Sequence, residues 1–118
     1  MSERDPGVPL RQMRDAARRA LEITRSLTRE DLREDRIESL ALARLLEIID
    51  EAARRVPEDL RAQHAEIPWR QVIGTRDRLI HGYDQVDLDI LWTIVHDRLP
   101  GLVTQIDAVL TVRDRDGS

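Results

Sequence analysis

The sequence predicts an all-α fold, an antiparallel bundle of four to five helices. Apolar residues recur at three- and four-residue spacing through most of the chain, the period of one helix face. The core has to be built from Leu, Ile, Val and Ala, because Phe is absent and aromatics are only 3% of the residues. Those side chains at helical spacing suit a bundle better than a sandwich. Pro57, Pro68 and Pro100 punctuate the tracts where helices should stop or start.

Taken in order, residues 1–8 are polar with Pro and Gly and read as a loose end. Helix one spans about 9–27, with Leu10, Met13, Ala17, Ala20, Thr24 and Leu27 as its stripe. Thr28 opens a new turn, with Asp31 completing an imperfect capping box. Helix two spans about 35–56 and carries two apolar stripes. One is Ile37, Ala41, Leu45, Ile48 and Ala52; the other is Leu42, Leu46, Ile49 and Ala53. So wide an apolar surface in a chain with few helices predicts burial against a second copy, hence a homodimer. Pro57 to Leu60 restarts a short helix, and 63–66 is a connector. Helix three runs from Pro68 to His81, with Gly82 as its left-handed stop. Residues 84–86 read as a polar turn, and Asp87 caps helix four, which holds Leu88, Leu91, Trp92, Val95 and Leu99. Pro100 either kinks this helix or begins a fifth, carrying Leu102, Val103, Ile106, Val109 and Leu110; residues 113–118 form a charged tail.

The 118 residues fit one domain, 1–118, and 41% hydrophobic with 36% charged composition supports a packed core. There is no cysteine, which excludes disulfides and thiolate metal sites and agrees with a cytoplasmic location. No apolar run reaches membrane-span length, and the N-terminus lacks a signal-peptide core. The net charge of −4 counts against nonspecific nucleic-acid binding. All 19 basic residues are Arg, a pattern that a genome-wide codon bias explains more readily than a need for planar phosphate-binding forks.

The chemistry-bearing residues gather in one stretch: Arg76, Asp77, Arg78, His81 and Tyr83. His81 has the pKa range for proton transfer near neutral pH. Arg76 shares a stripe with Ile73 and Ile80, so it should point toward packed surface and need an anionic partner. That partner is either a phosphate or a carboxylate such as Glu51 or Glu47 on helix two. Arg76 and His81 lie about 140° apart on an ideal helix, so they converge only if His81 sits at a fraying end. Asp77 either orients a neighbouring Arg or His or is an ordinary exposed acid. Tyr83 either lines the site or simply packs. His64 and His96 read as surface residues, and no metal ligand set, glycine-rich phosphate loop or cofactor motif is present.

Ile67-Pro68-Trp69-Arg70, followed by Arg76-Asp77, His81-Gly82-Tyr83 and Val86-Asp87, closely resembles the HepT-like branch of the HEPN superfamily. The family motif is Arg, four residues beginning with a polar one, His, any residue, then Tyr, and Arg76, Asp77, His81 and Tyr83 match it. Residues 46–53 resemble the family's second-helix signature, which more often carries Gly where this chain has Asp50. Trp92 and Leu99-Pro100 resemble its last helix, so the likeness runs over about 10–110. The resemblance implies a helical homodimer with two motifs in a shared cleft. It implies a metal-independent endoribonuclease with no cofactor, the toxin of a bacterial toxin–antitoxin pair, with Arg76 and His81 catalytic and Asp77 and Tyr83 supporting. It also implies a minimal nucleotidyltransferase antitoxin that silences the toxin by transferring AMP to Tyr83, and an RNA substrate such as transfer RNA. The rival reading is a non-catalytic helical dimer that binds nucleotide or a partner protein through the same residues.

Overall fold

The computed structural model of the chain describes residues 5–81 and 85–115, with the backbone path alone for Ile80, His81 and Gln85. It is α-helical, apart from two two-residue strands. Helix α1 (Gly7–Thr24) begins earlier than the periodicity suggests, because the Asp5 carboxylate accepts the Gly7 N–H at 2.8 Å. Pro9 then falls in the first turn, where its missing donor costs nothing. The helix stops at Thr24, whose hydroxyl bonds back to the Ala20 and Leu21 carbonyls. A 3-10 turn (Arg29–Asp31) follows, and Asp31 accepts the Thr28 N–H at 2.8 Å, as the capping box requires.

Helix α2 (Ile37–Arg54) is the spine of the bundle. Its two expected stripes fare differently. Leu42, Leu46, Ile49 and Ala53 are buried in the core with Leu10, Met13, Ala17 and Ala20 of α1. The other stripe is half-covered at Ala41, Leu45 and Ile48 and opens at its N-terminal end, where Ile37 is 79% and Leu40 61% exposed. A short helix α3 (Glu58–Gln63) restarts after Pro57, reaching one residue into the expected connector.

The expected continuous helix over 68–81 is absent. Instead α4 (Trp69–Val72) is followed by a break and then α5 (Thr75–Leu79). The cause is Gly74, at φ +112°, a conformation that L side chains rarely adopt. The Thr75 hydroxyl bonds to the Gln71 and Val72 carbonyls at 3.0 and 2.8 Å, satisfying acceptors that a continuous helix would have paired. After α5 the chain extends into β1 (Ile80–His81), which pairs antiparallel with β2 (Gln85–Val86), Ile80 opposite Val86 and His81 opposite Gln85. Gln85 and Val86 are therefore strand, where the sequence suggested a polar turn. The Asp87 N–H donates to the Leu79 carbonyl at 2.7 Å beyond the pairing.

Asp87 caps α6 (Leu88–Thr93), accepting the Ile90 N–H at 3.0 Å. Pro100 falls in the first turn of a further helix, the second of the two outcomes expected for it. A π turn (Ile94–Arg98) lies just before it and runs into α7 (Leu99–Arg115). Proline lacks the N–H for the carbonyl four residues back and crowds it, and the wider turn accommodates both defects. α7 packs along α1 through Leu102, Ile106, Val109 and Leu110, and continues into the expected tail as far as Arg115. Among the described residues, no helix is long and apolar enough to cross a membrane.

Candidate functional site

The candidate site is built on α4, α5, β1 and β2, of which α4 and α5 pack against α2. Its anchor is Asp50, which is only 2% exposed. One carboxylate oxygen accepts from Nε of Arg54 at 2.7 Å, one turn along α2. The other accepts the backbone N–H groups of Gly74, at 3.2 Å, and Arg76, at 3.1 Å. A carboxylate is favoured at the N-terminal end of α5, where the N–H groups have no partners within the helix. The hydrogen bond that Arg54 donates to Asp50 pushes its guanidinium above the ordinary pKa, the Coulombic attraction of Asp50 adds to this, and Asp77 contributes further.

The break at Gly74 re-aims the motif. Arg76, expected on an inner stripe with Ile73 and Ile80, is exposed. The phase of a helix running unbroken from Pro68 no longer applies past a residue with positive φ. Arg76 has no ion pair among the described residues. The suggested carboxylate partners are occupied elsewhere: Glu47 lies 3.1 Å and Glu51 3.9 Å from Arg44. Asp77 is exposed beside Arg76, and its field reaches Arg54. The backbone of His81 lies in β1, not in the last turn of a helix. Gly82, Tyr83 and Asp84 lie outside the described residues, so the expected glycine stop and the tyrosine position do too. His96 is exposed as expected, stacked on Trp92 with ring centroids 5.4 Å apart, and His64 is half-buried, 3.8 Å from Glu66.

A cavity of about 420 Å³ lies between α2, α4, α5 and α7, lined by Leu46, Ile49, Gln71, Thr75, Arg78 and Arg98 among others. Arg78 donates to the Gln71 carbonyl, and Arg98 donates to the Gln71 side chain at 2.7 Å. Thr75 and Arg78 of α5 face this cavity; Arg76 and Asp77 are not among its lining residues. Reading the sequence as one helix missed these contacts, and Gly74 was the only local signal that could have exposed them.

A helical bundle whose sequence carries an Arg-x-x-x-x-His-x-Tyr string defines a narrow class, and this chain belongs to the HepT-like family. The family profile, described as "Ribonuclease HepT-like", matches residues 3–109. Among its relatives, a Thermococcus cleftensis protein named "Probable ribonuclease HepT" is 43% identical over 81 residues, 69% of this chain and 74% of the relative. A Methanocaldococcus jannaschii protein whose name also carries the term RNase is 31% identical over 109 residues, 92% of this chain and the whole of the relative. Another so named, from Caldanaerobacter subterraneus, is 34% identical over 90 residues, 76% of this chain and 80% of the relative. No solved structure matches the chain significantly.

Proposed function

We propose that this protein is a metal-independent endoribonuclease, the toxin of a toxin–antitoxin pair. The observation that carries the reading is the family match over residues 3–109, which contains the whole Arg76, Asp77, His81, Tyr83 string. In the reaction, the ribose 2′-hydroxyl attacks the adjacent phosphorus. A 2′-oxygen–phosphorus bond forms and the bond to the 5′-oxygen breaks, leaving a 2′,3′-cyclic phosphate and a 5′-hydroxyl. His81 takes the 2′ proton or delivers one to the leaving oxygen. Arg76, exposed and without a carboxylate partner among the described residues, holds the phosphate and stabilises charge growing on its oxygens. Asp77 orients the neighbouring cations. The substrate is RNA with unstacked, single-stranded loops, transfer RNA being the first candidate.

The protein acts as a homodimer, which brings two motifs into one cleft. The exposed Ile37 and Leu40 on α2 supply an apolar patch for that contact. A minimal nucleotidyltransferase antitoxin silences it by transferring AMP to Tyr83, which adds bulk and negative charge where the RNA phosphate would bind. The net charge of −4 favours a second reading, a non-catalytic dimer that binds nucleotide or a partner through the same residues.

Purified protein incubated with total transfer RNA in EDTA separates the two. Fragments with 5′-hydroxyl and cyclic-phosphate ends, lost in Arg76→Ala and His81→Ala, support the nuclease. Intact RNA, or cleavage that survives both substitutions, refutes it. Sedimentation of a monomer at micromolar concentration would remove the shared cleft.

A further inference from the structure

We propose that Asp50 is a positioning residue for the motif, its carboxylate fixing where the Arg76 guanidinium is presented to RNA phosphate. The proposal rests on the ribonuclease reading. Three facts carry it. Asp50 is 2% exposed, and a buried carboxylate persists only when its oxygens are satisfied. An ion pair with Arg54 needs one oxygen, yet the second oxygen is committed to the backbone of the motif, at Gly74 and Arg76. And α5 has five residues, far too few to hold a helical direction unaided.

Arg76 therefore leaves a backbone whose own N–H is pinned to the bundle. Gly74 allows the turn, and Asp50 selects where it lands. The segment is reached from 24 and 26 residues away in sequence, so Asp50 ties the direction of the motif to the spine of the bundle. Asp50 touches no substrate in this scheme and acts through Arg76.

The test uses Asp50→Asn, which keeps the size of the side chain, removes its charge and turns an amide donor toward one of the present donors. On a labelled single-stranded oligoribonucleotide that the wild type cleaves, kcat falls roughly 100-fold, the scale of a misplacement near 1 Å, and KM changes less than about threefold. By hydrogen–deuterium exchange, the Gly74 and Arg76 amides lose protection while those of α1 and α7 keep theirs. In an Arg76→Lys background, Asp50→Asn causes no further loss beyond about twofold, because both changes act on one group. Arg54→Gln, which removes the ion pair but leaves the backbone contacts, keeps kcat within about twofold.

If Asp50→Asn does not fold, Asp50→Ser, smaller and uncharged, carries the same expectations. Wild-type kcat in Asp50→Asn with inactive Arg76→Ala overturns the proposal and leaves the ribonuclease reading standing. Unchanged exchange at Gly74 and Arg76 overturns it too. A wild type without ribonuclease activity removes both.

Discussion

The frame and the motif segment share one core but are held in place differently. In α1, α2 and α7 the side chains interlock: Met13, Ala17, Leu42 and Ile106 are fully buried, and α2 and α7 each pack against α1. Residues 68–81 are short pieces joined by breaks; Val72 and Leu79 anchor them in the core, and polar bonds set their direction. Asp50 holds Gly74 and Arg76, Thr75 holds the end of α4, and the Trp69 indole N–H donates to the His64 carbonyl at 2.9 Å. Hydrophobic burial is non-directional and sums over area, whereas hydrogen bonds fix direction. The frame therefore supplies stability and the segment supplies aim, and the two should be separable by substitution.

The largest effect expected is on rate. His81→Ala should lower RNA cleavage roughly 10³-fold, within the usual range for removing a general acid or base, while the melting temperature stays near that of the wild type. A large fall in melting temperature would show that the segment also supports the frame. Next in size is Leu42→Ala in α2. It should destabilise by about 3 kcal/mol in urea unfolding through lost burial and the cavity left behind, and the folded fraction should keep its cleavage rate.

Gly74→Ala tests the join between the two regions. Its new Cβ would meet only ordinary contacts, Arg78 Nη1 at 3.7 Å and the Arg70 carbonyl at 3.9 Å, so its cost is torsional. It should destabilise by about 1–2 kcal/mol, with faster amide exchange confined to α4 and α5. A uniform change across all helices would merge the two regions into one cooperative unit. The smallest effect has the opposite sign. The Ser39 hydroxyl is buried on α2 with no hydrogen-bond partner among the described residues. Ser39→Ala removes that defect and improves helix propensity, and should stabilise by about 1 kcal/mol, raising the melting temperature by about 4 °C.

The frame was legible because each of its helices writes a repeating pattern. The stripes Leu10–Met13–Ala17–Ala20 and Leu42–Leu46–Ile49–Ala53 are the core, and Asp87 is the cap its position suggested. The motif segment was legible as a string of residue types, and its shape was not. A lone Gly inside a helical pattern is often tolerated, so Gly74 gave no clear stop. Projecting the helix through it put Arg76 on the wrong side. The role of Asp50 was hidden because its main-chain partners, Gly74 and Arg76, lie far along the chain. The π turn at Ile94–Arg98 was hidden for a related reason: proline announces a disturbance but does not say whether the helix bends, stops or widens.

The two tryptophans bracket this segment. Trp69 is in α4, its indole tied to a main-chain oxygen; Trp92 is in α6, layered on an imidazole. With no phenylalanine and a single tyrosine in the chain, ultraviolet emission comes almost wholly from these two positions. The molecule thus carries built-in optical reporters at both borders of its working segment. Engagement of RNA, or a bulky group added between them, can be followed by intrinsic fluorescence without attaching a dye.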